Sequence, residues 1–192
     1  MLILAAILAT LLHRTQSVTA SSVRVACVDD IITRDTHYLE VLSSMLGADY
    51  TVGNFGVDRT MVSLEFDKPY MRQPAFREAQ TFNPDIVVIM LGTNDAYLSQ
   101  QQRNNFADDY KTLVAPFHVL PSNPEIYIVI PPPVFNNALG LPATVLDNEV
   151  IPKVNETATE LRMPTIDMST PLLNNPEAFQ DGGIQTSQGH RL

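Results

Sequence analysis

The stretch that decides the fold is DIVVIML, Asp85 to Leu91, with GTND at residues 92–95 behind it. Six consecutive apolar residues between an acid and a glycine make a short run, too brief for a helix of ordinary length. A strand in which successive side chains are all apolar must be buried on both faces, as parallel sheets are. Working outward, Val23 to Val28 is a second such run, rich in β-branched residues and closed by acids. Tyr50 to Phe55 ends in Gly56, Glu125 to Ile130 is closed by three prolines, and Thr165 to Met168 is a short fifth strand.

Between these runs the period changes. Leu39, Val41, Leu42, Met45 and Leu46 lie at helical spacing in Tyr38 to Leu46, and Gly47 supplies a stop. Pro74 opens a helix running to about Phe82, and Pro84 ends it. Asn105 to Leu120 keeps Phe106, Tyr110, Leu113, Val114 and Phe117 in phase. Leu146, Val150, Val154, Ala158 and Leu161 mark a long helix expected to bend at Pro152. Strands alternating with helices predict a three-layer α/β/α sandwich on about five parallel strands, joined by right-handed crossovers. In such a sheet the site lies beyond the carboxyl ends of the strands. Those ends are Asp29 to Thr33, Gly56 to Arg59, Gly92 to Asp95, Pro131 to Val134 and the segment after Met168. No repeat, low-complexity tract or linker interrupts Val23 to Leu192.

Composition narrows the function classes. The 192 residues suit one domain with a sizeable core, and 45% hydrophobic against 17% charged residues describes a globular chain. A formal net charge of -9, with no basic run, argues against nucleic acid or anionic membrane surfaces as partners. Fourteen prolines against eight glycines point to rigid loops. The single cysteine, Cys27, sits inside an apolar strand, so it reads as a small buried hydrophobe rather than a reactive thiol. No Cys/His cluster has zinc spacing, and no cofactor is implied.

Residues 1–20 read as a targeting leader. Leu2 to Leu12 is apolar except for Thr10, and Val18, Thr19 and Ala20 are small residues of the kind a signal peptidase reads. Eleven residues, ten of them apolar, are too few to span about 30 Å of hydrocarbon, so a transmembrane helix is not expected. The secretory route is favoured, with a mitochondrial presequence as the alternative because Arg14 and Arg24 stand among Ser and Thr with no acid before Asp29. The sequon at Asn155, Glu156 and Thr157 gives mild support to secretion and glycosylation.

Four blocks carry a family resemblance: NFGV at residues 54–57, NPDIVVIMLGTND at 83–95, VIPPPVF at 129–135 and DGGIQTSQGHRL at 181–192. With them the chain, from Val23 to Leu192, resembles the SGNH or GDSL-type hydrolases, which have a flavodoxin-like sandwich fold. The likeness is closest to the small secreted sialate O-acetylesterase-like and acetyl-xylan-esterase-like proteins. The resemblance implies a serine nucleophile, a histidine base oriented by an aspartate three residues earlier, and an oxyanion hole built from amides and an asparagine side chain. It would make Gly56 the loop glycine of the oxyanion hole, Asn94 its asparagine and Asp181 the orienting aspartate.

Two positions depart from it. The family's Gly-Asp-Ser-Ile-Thr block reads Asp29, Asp30, Ile31, Ile32, Thr33, which puts Ile31 at the nucleophile. The Asp-Gly-x-His-Pro block reads Asp181, Gly182, Gly183, Ile184, Gln185, which puts Ile184 at the base. Neither isoleucine donates or accepts a proton. A substitute nucleophile would have to come from Thr33 or Ser187, either needing its loop remade, and a substitute base from His37 or His190, lone histidines that read as structural or solvated. Asp29 and Asp58 add carboxylates beside Asp30, Asp95 and Asp181. These are read as two solvated acids, Asp29 and Asp58, beside buried structural hydrogen-bonders; a Ca²⁺ site is the minor alternative. The leading expectation is therefore a catalytically inactive member of the fold, kept to bind an acetylated carbohydrate or a protein partner, or as a subunit of a larger assembly. An active carbohydrate O-acetyl esterase or lipase-like hydrolase with substitute residues is the competing one. Relatives continue past the position of Leu192 into a final helix, so a missing helix and an exposed or partner-filled groove are also expected.

Overall fold

A computed structural model describes residues 22–30, 38–66, 68–135 and 140–174. Five strands form one parallel sheet: β1 (Val23–Asp29), β2 (Tyr50–Gly56), β3 (Ile86–Met90), β4 (Glu125–Ile130) and β5 (Thr165–Asp167), in the order β2-β1-β3-β4-β5. The order reverses at β1, so a crevice opens between the carboxyl ends of β1 and β3.

The apolar runs are continuous because each strand feeds two cores. Val25 and Cys27 of β1, Ile86, Val88 and Met90 of β3, and Tyr127 and Val129 of β4 face α1 (Tyr38–Leu46), against Tyr38, Leu42 and Leu46. The alternate residues Val28, Val87, Ile89, Ile126, Ile128 and Ile130 face α2 (Pro74–Thr81), α3 (Phe106–His118) and α4 (Ile151–Glu160). There they meet Phe76, Phe106, Tyr110, Leu113, Phe117, Val150 and Val154. Tyr70, Phe76 and Phe117 stack edge to face through this layer, with centroids 6.0 and 5.7 Å apart. Period 2 in the strands and period 3.6 in the helices thus meet as the sequence requires.

Most expected elements stand where they were expected, with ends shifted by one or two residues. Pro74 opens α2, where its missing N–H costs nothing. Asn83, in the left-handed region at φ 49°, turns the chain out of that helix. The expected bend at Pro152 takes another form. A turn at Ala143–Val145 leads into a π-helical turn at Leu146–Val150, and Pro152 lies in the first turn of α4. Pro152 has no N–H for the carbonyl of Asn148 and its ring crowds that oxygen, so the ladder widens one turn before the proline rather than kinking at it. Sequence periodicity also gave no sign of three short 3-10 turns, at Tyr70–Arg72, Thr93–Tyr97 and Thr170–Leu172.

Cys27 is buried, and that burial pushes its thiol up to about 12 against the lowering effect of a hydrogen bond with Tyr38. It is a packing residue, as expected. No helix among the described residues is long and apolar enough to cross a membrane. The leader, and any final helix, fall outside the described residues. Of the sequon, Asn155 is exposed on α4, whereas the hydroxyl of buried Thr157 donates to the Lys153 carbonyl at 2.7 Å.

Candidate functional site

Three strand ends come level in the sheet. Asp29, the last residue of β1, pairs in register with Gly56 on one side and Met90 on the other. Its carbonyl accepts the amide of Val57 at 3.0 Å. The chain leaving β3 passes Gly92, whose φ of 123° few L side chains adopt, and coils into the turn Thr93–Tyr97. That backbone throws Asn94 across the crevice. Its Nδ2 donates to Asp30 Oδ2 at 2.8 Å and to the Thr60 carbonyl at 3.1 Å. The end of β3 is therefore tied directly to the end of β1, as a site at this crevice requires.

The amides of Gly56 and Asn94, the expected oxyanion donors, are both engaged within the protein. The two hydrogens of the Asn94 amide go to Asp30 and Thr60. The Gly56 amide donates to Asn54 Oδ1 at 3.0 Å. A carbonyl oxygen entering here would have to displace one of these acceptors. Ile31, Ile184 and Asp181, and with them the substitutes Thr33, His37, Ser187 and His190, lie outside the described residues. The expected meeting of Ile31 with Ile184 belongs with them.

The carboxylates are arranged differently from the expected acid-lined cleft. Asp29 is not solvated: it is 1% exposed, because its place between Gly56 and Met90 in a central strand leaves it no route to water. Asp58 is half-buried and lies 3.6 Å from the Arg59 guanidinium. Asp95 is fully buried and serves the backbone. Its Oδ2 accepts the amide of Val62 at 3.0 Å and its Oδ1 that of Ser63 at 2.9 Å. Complete burial pushes the Asp95 carboxyl up to about 6, against the lowering effect of those amides. Among the described residues no group of three or more His, Cys, Asp or Glu side chains is placed to hold a metal.

One participant left no signal in the sequence. Arg103 is 3% exposed. Its guanidinium donates to the Leu98 carbonyl and to Glu149 Oε2, the latter at 2.5 Å, while Lys153 Nζ donates to the Arg103 carbonyl at 2.8 Å. Arg103 so fastens the end of the Asn94 turn to the π-helical turn and α4. An arginine in a polar stretch reads as surface, and only the fold buries it.

Arg59, just beyond Gly56, sits at φ 54° with its side chain 82% exposed. A left-handed L residue costs about 1–2 kcal/mol, and an exposed pair with Asp58 returns little. Arg59→Gly should raise stability by about 0.5 kcal/mol in urea titration, the relief being partly offset by the flexibility of glycine in the unfolded chain. A loss greater than about 1 kcal/mol would mean that the guanidinium does structural work in this loop.

The sequence profile of the GDSL-like lipase/acylhydrolase family matches residues 17–192. The chain belongs to that family. It is 30% identical over 194 aligned residues to an acetylxylan esterase of Xylanibacter ruminicola, an alignment covering 87% of this chain and 40% of the relative. The chain thus spans less than half the length of that enzyme. Among solved structures it resembles a lipase/acylhydrolase from Enterococcus faecalis, with a TM-score of 0.63 at 20% identity over 88% of this chain and 90% of the other. An acetyl xylan esterase, AlAXEase, superposes with a TM-score of 0.65 at 17% identity, over 88% of this chain and 94% of the other. At these identities the structural likeness speaks for the fold, the SGNH esterase sandwich.

Proposed function

We propose that this GDSL-family chain is a catalytically inactive esterase-fold protein, retained to bind a ligand or to serve as a subunit of an assembly. The observation that carries this reading is the pair of isoleucines, Ile31 and Ile184, at the positions where the family places its nucleophile and its base. Ester hydrolysis through an acyl-enzyme needs an oxygen that attacks the carbonyl and a base that takes its proton. A side chain of carbon and hydrogen does neither. The engaged state of the Gly56 and Asn94 amides supports the same reading, because neither of these two donors is left waiting for an oxyanion.

The likeness to an acetylxylan esterase makes an acetylated carbohydrate the ligand to try first, with a protein partner second. A signal peptide or targeting leader at residues 1–20 and passage through the secretory route fit this reading, and an exposed Asn155 fits a glycosylated product.

The test is direct. The purified protein should release acetate from acetylated xylan or an aryl acetate no faster than a heat-inactivated control. It should also leave a fluorophosphonate serine-hydrolase probe unreacted. Stoichiometric labelling, or turnover abolished by Asn94→Ala, would sink the proposal by revealing a substitute nucleophile in the cleft. Turnover indifferent to Asn94→Ala would place chemistry elsewhere on the chain.

A further inference from the structure

Phe and Tyr side chains in this fold are buried or half-buried, with one exception among the described residues. Tyr97 is 45% exposed, and it ends the turn that carries Asn94. Helix geometry fixes where it lies. In the 3-10 turn Thr93–Tyr97, side chains three positions apart eclipse and each residue advances about 2 Å. Asn94 and Tyr97 therefore share one side of the turn, about 6 Å apart along its axis. Asn94 is buried on the crevice side, where it donates to Asp30 and to the Thr60 carbonyl. Tyr97 stands on that same side, one turn nearer to solvent. We propose that Tyr97 is a stacking platform for one sugar ring of a carbohydrate chain whose neighbouring residue reaches the crevice at Asn94.

The platform rests on the reading of the cleft as a ligand-binding site, and it names the ligand class and a residue that meets it. The backbone beneath the ring is fixed on both sides. Ala96 and Leu98, its neighbours in sequence, are both buried. The Leu98 amide donates to the Asp95 carbonyl at 3.1 Å, and the Leu98 carbonyl accepts the buried guanidinium of Arg103. A tyrosine has only two side-chain torsions, so a ring presented from so firm a turn loses little freedom when something stacks on it.

The surroundings suit a sugar. A pyranose ring has an apolar C–H face and an edge of hydroxyls, so it asks for an aromatic surface beside a few polar groups. The loop facing Tyr97 across the Asn94–Thr60 hydrogen bond supplies such groups in the two residues before Thr60. Asp58 is half-buried and the Arg59 side chain is 82% exposed, one an acceptor and the other a donor for hydroxyls. Their charges oppose each other at 3.6 Å, so this rim suits a neutral ring.

A protein partner would ask for more. An interface of ordinary size takes about 800 Å² from each side and centres on a cluster of apolar anchors. The other large hydrophobic side chains exposed among the described residues are Met45, Val119 and Leu173. Met45 belongs to α1, Val119 follows α3, and Leu173 lies beyond β5, two strands from β3. Each stands on a different element, and a lone aromatic suits one ring better than a protein surface.

NMR titration of the full chain with partially acetylated xylotetraose tests this. The C–H protons of one sugar ring should move upfield on binding, shielded by the aromatic face, and the Tyr97 ring resonances should move with them. Tyr97→Ala should abolish the upfield shift and weaken binding about tenfold, whereas Tyr97→Phe should keep both. Val119→Ala, beyond α3, should change neither. Binding unchanged in Tyr97→Ala, or none by the unaltered protein at about 10 mM oligosaccharide, would overturn the platform. Tyr97 resonances that follow protein concentration instead of oligosaccharide would mark contact with a second copy and overturn it too. The upfield shift in the unaltered protein needs no variant, so it decides the matter should Tyr97→Ala not fold. Acetate released in the same samples bears on the proposed inactivity alone, so that reading and the platform can fail separately.

Discussion

Replacing Ile31 with serine and Ile184 with histidine together should produce ester hydrolysis where neither change alone does. A serine without its base stays protonated, and a histidine without the serine has no hydroxyl to act on. Groups that work as a unit lose nearly everything when one is absent, commonly about 10⁴- to 10⁶-fold in turnover. The double variant should therefore exceed the product of the two single effects by about 10²-fold or more. Recovery should remain partial. A reacting carbonyl must compete with Asn54 for the Gly56 amide and with Asp30 and Thr60 for Asn94, and Asp29 is buried at the end of β1. The measurement is acetate release by the two single variants, the double variant and the double variant carrying Asp181→Ala. A double variant no better than its parents, though folded, would mean that Ile184 does not occupy the base position. Activity in the double variant that is unaffected by Asp181→Ala would leave the orienting aspartate unassigned.

The sheet was legible because its rule is local. Two-sided burial demands continuous apolar runs, and residues 85–91 and 125–130 have no other stable use. The helices of the three-helix face were legible for the same reason, since Phe106, Tyr110, Leu113 and Phe117 repeat at a spacing only a helix satisfies. What escaped the sequence is what depends on partners distant along the chain. Asp29 looks like a surface acid until the register sets it between Gly56 and Met90. Asp95 was expected to be a buried hydrogen-bonder, but only the fold shows that its acceptors serve the amides of residues 62 and 63, more than thirty positions earlier in the chain. Arg103 carries no periodic signal at all, yet it fastens the loop that bears Asn94. The π-helical turn was half legible: Pro152 announced a disturbance, and packing against the Thr93–Tyr97 turn decided where it would fall. Motif matching located Gly56 and Asn94, while which acceptors hold them is a property of three dimensions.

Gly92 is where local conformation and long-range packing meet most sharply, and Gly92→Ala should destabilise the protein by about 2–3 kcal/mol. Its φ of 123° with ψ of -23° lies outside even the left-handed helical region that L residues occasionally visit. Space is short as well. A Cβ built there would lie 3.4 Å from the Phe106 ring, 3.4 Å from Val150 Cγ1 and 3.5 Å from Val154 Cγ2. Those neighbours belong to α3, the π-helical turn and α4, and all are fully buried, so they can yield only by moving packed elements. The effect should reach the site, because Gly92 sets the direction of the turn that carries Asn94 to Asp30. Urea unfolding should give a lower midpoint with an unchanged slope, the mark of lost stability without a change in the surface exposed. The Asn94 side-chain amide, resolved by NMR, should lose the shift imposed by its bond to Asp30. Gly47→Ala is the matched control: its φ is 80°, and no atom lies within 4 Å of the added carbon, so it carries backbone strain alone. A Gly92 variant no less stable than the Gly47 variant, with the Asn94 resonance unmoved, would show that the turn tolerates a side chain and that packing against Phe106 and Val150 does not fix the geometry of the crevice.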